Sequence, residues 1–427
     1  MEKRAAIIGF GREGKSILKF LKKYPRFKNY KIEILDKKDG ENYLDNLERF
    51  EVIFRSPGVP YNLPQLRAAR KAGVEFSSAT KLFFENYNGK IIGVTGTKGK
   101  GTTSTLIYEI LKAGGLRVFL AGNIGKSALD FLADQKKYQL AILELSSFQL
   151  QDLEASPEIA VVLDIFPDHQ DSHSNLKEYY TAKANMGKFQ KRSDKIFFFA
   201  DNQNSRKLAS ESPAVKFAVD YKKFNLVKQS EMRIRGFHNF KNAAMAEAVA
   251  SQFRIPKEIV IEVIKKFTGL KHRLEFIKEI KISENKILRF YDDSASTNPQ
   301  TSAAAIKAFP SEGKILIAGG QDKNLDYAPL NQALRKEKIG AVILLGENKN
   351  KILTAVKSAG VKTLMTDNLE AALQESIKEA KKDETKKIQN IIFSPGAASF
   401  DMFKNYADRG DKFKQAVAGI TKLIKQT

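Results

Sequence analysis

The sequence predicts an α/β protein of three consecutive domains with parallel sheets. Runs of β-branched and other apolar residues alternate with amphipathic, helix-like stretches along almost all 427 residues, and this alternation is typical of parallel α/β sheets. Glycine-rich turns at Gly9 and Gly96 each follow a strand-like run directly, which indicates two separate strand–turn–helix units. At about 150 residues per domain, the length suits two or three domains.

Residues 1–89 form the first predicted domain. Strands are expected over residues 5–9, 31–36, 51–54 and 74–76, helices over 11–24 and 63–72, and a linker over 86–89. The motif Gly9-Phe-Gly-Arg-Glu-Gly14 fits G-x-G-x-x-G after a strand, and Asp36 ends the second strand, where a ribose-binding acid belongs. The domain is therefore expected to be Rossmann-like and to bind a nucleotide or pyrophosphate. The motif alone leaves the choice of nucleotide open.

Residues 90–270 and 271–427 form the other two predicted domains. In the central one, strands are expected over 90–95, 117–121, 140–145, 159–165 and 195–200, short antiparallel strands within 201–235, and helices over 239–253 and 256–267. In the last one, a hairpin is expected over 274–282 and 286–291, strands over 314–318, 341–345 and 391–394, and a solvated lysine-rich helix over 376–387. The C-terminal domain is also expected to be Rossmann-like.

The composition excludes several classes of function. The formal net charge is +23, but the three predicted domains carry +7, +8 and +8 of it, so no basic arm or stripe indicates nucleic-acid binding. Cysteine is absent, which excludes disulfides, cysteine-ligated zinc and a cysteine nucleophile. No apolar run approaches the roughly 20 residues of a membrane span, and the N-terminus lacks a signal-peptide pattern. We expect a cytoplasmic protein that binds no nucleic acid.

The sharpest motif is Gly96-Thr97-Lys98-Gly99-Lys100-Gly101-Thr102, where a predicted strand meets a helix. Backbone N–H groups of such a turn converge on phosphate oxygens, a lysine neutralises phosphate charge and a hydroxyl binds Mg²⁺. The central domain is therefore expected to be P-loop ATPase-like, with Lys100 at the phosphates. Because Gly101 follows that lysine, Thr102 is the preferred hydroxyl and Thr103 the alternative.

A magnesium carboxylate is expected at the end of a neighbouring strand. Glu144 suits that role, and Asp164 and Asp168 compete with it. His169 and His173 are four residues apart, but their Asp- and Ser-rich surroundings favour a loop over a zinc-binding helix.

In their order along the whole chain, these motifs resemble the Mur ligases, the ATP-dependent amide-bond-forming enzymes of peptidoglycan synthesis. The segments that carry the resemblance are residues 95–102, 122–125, 144–150, 168–169, 180–183, 238–242, 267–273, 293–294, 319–323 and 394–399. The likeness is greatest to the members that add D-glutamate to UDP-N-acetylmuramoyl-L-alanine by way of an acyl phosphate. It implies ATP, two Mg²⁺ sites, those two substrates and a monomer in the cytoplasm, serving cell-wall synthesis, cell shape and cell division.

The resemblance also implies roles for individual residues. Lys100, His169 and Lys183 would be catalytic; Lys183 matches a lysine that is carbamylated in the family. Mg²⁺ would be bound by Thr102, Glu144, His169 and the carbamate of Lys183. ATP would meet Gly96, Thr97, Lys98, Gly99, Lys100, Gly101, Thr102, Asn242, Arg273 and Asp293. The UDP-sugar substrate would meet Asp36, Ser56, Asn123, Ser146 and Gln149. D-Glutamate would meet Thr297, Lys323, Ser399 and Tyr406.

Three residues depart from the family pattern. Gly101 replaces the usual hydroxyl residue after the phosphate-loop lysine, as in the related folylpolyglutamate synthases. Ala295 stands where the D-glutamate ligases carry lysine, which removes one expected anion contact, and Tyr406 stands where phenylalanine is expected. The alternatives are another Mur ligase, a folylpolyglutamate-synthase-like ligase and, more remotely, a nucleic-acid-dependent P-loop ATPase. A separate N-terminal nucleotide-type domain argues against the folylpolyglutamate synthases, which have two domains.

Overall fold

A computed structural model describes residues 2–166 and 175–426, with side chains described as far as residue 420. It has the predicted α/β fold with three sheets, two of them parallel throughout and the third parallel except for one hairpin. The chain divides into two compact units: residues 1–226 with 241–264, and residues 227–240 with 265–427. The first two sheets belong to the first unit and the third sheet to the second. The domain boundaries at 89/90 and 270/271 stay predictions.

The first sheet has four parallel strands in the order β2-β1-β3-β4. They are β1 (Lys3–Ile8), β2 (Tyr30–Leu35), β3 (Val52–Arg55) and β4 (Glu75–Ser77), with helices α1 (Arg12–Leu21), α2 (Pro64–Lys71) and α3 (Ala79–Asn86). Apolar residues of β1 and β3 are fully buried, as expected for central strands covered on both faces. The glycine-rich turn at Gly9 therefore lies at the carboxyl end of the central strand β1.

The second sheet has six parallel strands in the order β10-β9-β8-β5-β7-β6. The strands are β5 (Lys90–Thr95), β6 (Val118–Gly122), β7 (Leu140–Glu144), β8 (Ile159–Val162), β9 (Lys195–Phe199) and β10 (Val215–Val219). The helices are α4 (Lys100–Ala113), α5 (Ser147–Leu150), α6 (Leu176–Lys188), α7 (Gln203–Ser210), α8 (Phe237–Ala250) and α9 (Lys257–Lys266). The strand order reverses at β5, and ligands of open α/β sheets bind at such a switch point, beyond the carboxyl ends of the strands.

The expectation of short antiparallel strands within 201–235 is wrong. This stretch contains α7 and then β10, which pairs in parallel with β9. Asn202 caps α7 by accepting a hydrogen bond from the Ser205 backbone N–H. As the edge strand, β10 leaves much of its surface exposed, so it lacks the continuous apolar run that marks a central parallel strand.

The third sheet has the order β11-β12-β16-β13-β14-β15 and contains the predicted antiparallel hairpin, β11 with β12. The strands are β11 (Glu275–Ser283), β12 (Lys286–Asp292), β13 (Gly313–Ala318), β14 (Ala341–Leu344), β15 (Thr363–Met365) and β16 (Ile388–Phe393). The helices are α10 (Pro299–Lys307), α11 (Ala328–Lys336), α12 (Lys349–Val356), α13 (Leu369–Lys382) and α14 (Tyr406–Gln426). Strand β15 was not predicted because it is short and only partly buried.

The first two sheets are held together inside one unit by an aromatic cluster. Phe83 and Tyr87 from α3 and the next segment stack at 4.8 Å, and Tyr87 meets Phe119 of β6 edge-on at 5.8 Å. Phe119 in turn stacks on Phe131 at 4.3 Å. Such aromatic pairs stabilise beyond their buried area, so the segment around residue 89 connects two packed layers. Among the described residues, no helix combines the length and apolarity needed to cross a membrane.

Candidate active site

The glycine-rich loop after β5 has the geometry of a phosphate site. Gly99 precedes α4 with a φ of +84°, and a Cβ there would lie 2.5 Å from Asn242 Oδ1. Only glycine fits both the left-handed backbone and this close approach. The loop therefore brings two predicted ATP residues together, Gly99 and the buried Asn242 of α8.

Lys100 is the first residue of α4, and its ammonium lies over the loop. Its Nζ donates to the carbonyl oxygens of Gly96 at 3.0 Å and Thr97 at 3.1 Å. The loop is anchored from outside, since the Thr97 N–H donates to Asp164 O at 2.9 Å and Thr97 Oγ1 lies 2.8 Å from the Tyr179 hydroxyl. A cation and a helix N-terminus suit an anionic phosphate chain.

Two carboxylates flank the loop, and the structure distinguishes them. Glu144 ends β7 beside β5, is buried, and accepts a hydrogen bond from Asn123 Nδ2 at 2.8 Å. No lysine, arginine or histidine of the described residues forms an ion pair with it. Asp164 instead pairs with Lys241 Nζ at 2.8 Å, which compensates its charge. Carboxylate and hydroxyl oxygens are donors that Mg²⁺ prefers, so Glu144 and the partly exposed Thr102 fit a magnesium site.

Lys183 places a buried amine beside the same loop. It lies on α6 with 1% of its surface exposed, and its Nζ donates to Gly96 O at 2.9 Å and to Thr95 Oγ1 at 3.4 Å. The Tyr179 ring lies 4.9 Å away. The fold thus brings Lys183 to the phosphate loop from 87 residues along the chain. Asp168 and His169 lie outside the described residues.

A cavity of about 880 Å³ opens at the carboxyl ends of the first sheet. Asp36, Ser56 and Asn123 line it together with the glycine-rich turn. Asp36 Oδ2 accepts from the Phe10 N–H at 2.6 Å, and this hydrogen bond keeps the pKa of Asp36 below its usual range. Ser56 Oγ donates to Gly9 O at 2.7 Å. Three predicted substrate residues therefore share one cavity, and two of them shape its glycine-rich turn.

Arg12 is a cavity residue that the sequence did not single out. Its guanidinium donates to the carbonyl oxygens of Gly125 at 2.6 Å, Gly122 at 3.0 Å and Asn123 at 3.3 Å. It thereby holds the loop that carries Asn123, whose side chain in turn holds Glu144. Arg12 occupies a variable position of the glycine motif, so no sequence pattern could have indicated this contact.

Ser146 and Gln149 form hydrogen bonds with other residues of the protein. Gln149 is buried, its Oε1 accepts from the Ser146 N–H at 3.1 Å, and its Nε2 donates to Glu13 Oε1 at 2.7 Å. Glu13 is itself buried at the cavity wall, and burial raises the pKa of its carboxyl. A contact of Ser146 or Gln149 with the substrate stays a prediction.

The second unit holds the other predicted site residues at one edge of its sheet. Asp293, Lys323 and Ser399 follow the adjacent strands β12, β13 and β16. Asp293 accepts from Ser394 Oγ at 2.6 Å and from the Leu274 N–H at 3.0 Å, and burial raises the pKa of its carboxyl to about 7.

The exposure of the remaining residues of this unit varies. Ser399 is buried, whereas Tyr406 is half exposed and Arg273 and Thr297 are exposed. The ammonium of Lys323 lies 5.5 Å from the centre of the exposed Phe400 ring. Nothing in the structure explains the alanine at 295.

The strand, phosphate loop, lysine and neighbouring carboxylate of the first unit define a nucleotide-dependent P-loop enzyme. Family models agree: the Mur ligase middle domain matches residues 94–225, and the Mur ligase glutamate ligase domain matches residues 272–386. The chain belongs to the Mur ligase family and is an ATP-dependent, amide-bond-forming ligase that uses Mg²⁺.

Two relatives extend the similarity over nearly the full length. A UDP-N-acetylmuramoylalanine--D-glutamate ligase of Acetivibrio thermocellus is 33% identical over 410 residues, covering 89% of this chain and 85% of the relative. A ligase of the same name from Clostridium botulinum is 31% identical over 455 residues, covering 97% and 96%.

Solved structures share the fold at low identity. The UDP-N-acetylmuramate-alanine ligase of Thermotoga maritima superposes with a TM-score of 0.57 at 15% identity, covering 97% of this chain and 99% of that one. A folylpolyglutamate synthase of Thermotoga maritima gives 0.54 at 13% identity, covering 74% and 90%. These likenesses confirm the predicted fold class.

Proposed function

We propose that this ligase adds D-glutamate to UDP-N-acetylmuramoyl-L-alanine, forming ADP and phosphate in peptidoglycan synthesis. The observation that carries the proposal is the 30–33% identity, over nearly the whole chain, to relatives that bear this name. The cavity at the first sheet supports it, because a glycine-rich turn at a helix N-terminus suits the diphosphate of a nucleotide-linked substrate.

The reaction begins with activation of the L-alanine carboxylate, whose own leaving group would be oxide. A carboxylate oxygen attacks the γ-phosphorus of ATP, the bond to ADP breaks, and an acyl phosphate forms. Two anions must approach each other, so Lys100 neutralises phosphate charge while the loop N–H groups orient the γ-phosphate. Mg²⁺, held by Glu144 and Thr102, would supply further charge neutralisation.

The second step forms the amide bond. The uncharged amine of D-glutamate attacks the acyl carbon, a tetrahedral intermediate forms, and phosphate leaves as the nitrogen loses a proton. Lys323 supplies a cation for a glutamate carboxylate, and the Ser399 hydroxyl supplies a donor. Thr297 and Tyr406 complete this proposed amino-acid subsite, whereas Arg273 and Asp293 serve the nucleotide.

A second Mg²⁺ site, bound by His169 and a carbamate on Lys183, belongs to the same proposal. The buried position of Lys183 beside Gly96 supports it, because a carbamate retains one N–H for that carbonyl and adds two oxygen donors for a metal. Labelling with ¹³C-bicarbonate should give a carbamate NMR signal that Lys183→Ala lacks. Acetate should partly restore activity to that variant, and an unlabelled, fully active wild type would contradict the carbamate.

The decisive experiment is a panel of acceptors in an assay of ATP-dependent phosphate release. With UDP-N-acetylmuramoyl-L-alanine present, release should require D-glutamate and be absent with L-glutamate, L-lysine or diaminopimelate. Release with L-glutamate and a folate would instead support the folylpolyglutamate-synthase alternative, whose fold this chain shares. The enzyme is proposed to act as a cytoplasmic monomer, since ATP and nucleotide-linked substrates are cytoplasmic, and light scattering of the purified chain tests its mass.

A further inference from the structure

The sheet of the second unit indicates where its ligand binds. From β13 the chain builds outward through β14 and β15, and then returns to place β16 on the other side of β13. Ligands of open α/β sheets bind at such a switch point, at the carboxyl ends of the strands. The loops after β13 and β16 meet there: the Gln321 N–H donates to Ala398 O at 2.9 Å.

Arg409 forms hydrogen bonds with two of the loops at this switch point. It lies in the first turn of α14 with 1% of its surface exposed. Its guanidinium donates to Ser294 Oγ at 3.0 Å and Ser294 O at 2.8 Å, in the loop after β12. It also donates to Ala397 O at 3.0 Å and Ala398 O at 3.2 Å, in the loop after β16. One side chain thus fixes two loops that neighbour Asp293 and Ser399.

The loop after β13 packs closely against the Arg409 guanidinium. A Cβ on Gly320, whose φ is +158°, would lie 2.3 Å from Ala398 O and 3.1 Å from Arg409 Nη1. Any side chain at this position would displace the loop from the guanidinium. The same loop continues to Lys323, so its position also depends on the packing around Arg409.

The Arg409 guanidinium is held by neutral groups of the two loops. All four of its hydrogen bonds go to neutral oxygens, and none of the described carboxylates forms an ion pair with it. The carboxylates of Asp401, Asp292 and Asp293 partly offset its charge, but burial lowers the pKa of Arg409 to about 10. Burying a cation is costly, and the four hydrogen bonds to the two loops offset that cost only while the loops keep this arrangement.

We propose that Arg409 is the positioning residue of the amino-acid subsite: its hydrogen bonds fix the loops that carry Ser399 and Lys323, so that both can bind the carboxylates of the incoming amino acid. This inference rests on the proposed function, because it takes a dicarboxylic amino acid as the ligand at the switch point. Arg409 acts through the loops and makes no contact with the reacting atoms.

The test is steady-state kinetics of Arg409→Met and Arg409→Lys in the full chain. Loss of several charge-assisted hydrogen bonds should raise KM for D-glutamate at least about tenfold in Arg409→Met. KM for ATP and for UDP-N-acetylmuramoyl-L-alanine should stay within about twofold. Arg409→Lys keeps the charge but not the planar fork of donors, so it should lie between the wild type and Arg409→Met.

Lys314→Met is the matched control. Lys314 is equally buried in the same unit, but it lies near the start of β13, at the opposite edge of the sheet, and pairs with Glu337 at 2.8 Å. Its loss should lower Tm without changing KM for D-glutamate. If Arg409→Met only lowers Tm as Lys314→Met does, or raises all three KM values equally, the inference is overturned.

A milder variant covers the case in which Arg409→Met does not fold. Ser294→Ala removes one acceptor of the Arg409 guanidinium and should raise KM for D-glutamate a few-fold. Arg409→Lys should raise the same KM. If both variants keep the wild-type KM for D-glutamate and the wild type is active, the inference about Arg409 is overturned and the proposed function stands. Absence of D-glutamate-dependent turnover in the wild type would instead overturn the proposed function.

Discussion

Gly99→Ala tests whether the phosphate loop and Asn242 form one nucleotide site. The substitution adds one methyl group and keeps every hydrogen-bonding atom of the loop. At Gly99 the new Cβ would meet Asn242 Oδ1 at 2.5 Å, in a backbone conformation with φ +84°. Both effects follow from the structure, and they can be measured separately.

The magnitude has two parts. A non-glycine residue in the left-handed region costs roughly 1–2 kcal/mol. Ordinary van der Waals contact begins at 3.4 Å, so the Asn242 amide must move by about 0.9 Å, and Asn242 is buried with little room to move. Because misplacement by about 1 Å can reduce catalysis about 100-fold, we expect kcat/KM for ATP to fall between about tenfold and 100-fold.

Gly115→Ala is the control for backbone strain. Gly115 has the same φ, +84°, at the other end of α4, and a Cβ there would meet no atom within 4 Å. Both variants should lose similar stability in thermal unfolding, but only Gly99→Ala should lose affinity for ATP in titration calorimetry. When Asn242 has already been replaced by alanine, Gly99→Ala should cause little further loss of ATP affinity. Equal ATP affinity of the two glycine variants would refute the reasoning.

Three further predictions concern charged groups of the site. Lys100→Ala should lower kcat by at least about 100-fold while circular dichroism shows a folded chain; wild-type turnover would remove Lys100 from the phosphate site. Glu144→Gln should raise the half-saturating Mg²⁺ concentration at least about tenfold, and an unchanged magnesium titration would favour another carboxylate. The pKa of Asp293 is raised to about 7 in the folded state, so its ionisation opposes folding: its contribution to stability falls as pH rises from about 4 to 7. Asp293→Asn should therefore gain stability relative to the wild type over that range, and parallel Tm–pH curves would contradict the raised pKa.

Most of the fold could be predicted because central parallel strands are continuous apolar runs. Strands β5, β7 and β16 are buried on both faces, and the predicted bounds differ from the observed ones by only a few residues. The misses are edge strands. β10 is largely exposed and interrupted by Lys216, and β15 has three residues, so neither carries enough buried apolar surface to stand out in a sequence window.

Some residues of the candidate site could be predicted from the sequence and others could not, again for a physical reason. Residues whose type and spacing express their chemistry, such as the glycines and lysine of the phosphate loop or the carboxylate Glu144, could be found in the sequence. Arg12 and Arg409 could not, because each donates mostly to backbone carbonyl oxygens, which every residue type presents. A guanidinium that binds loops through their backbone oxygens requires no particular residue types in those loops, so it produces no sequence motif. The positions of the predicted substrate-binding residues therefore depend on contacts that only the folded chain reveals, and the contacts of Arg409 are the ones most open to measurement.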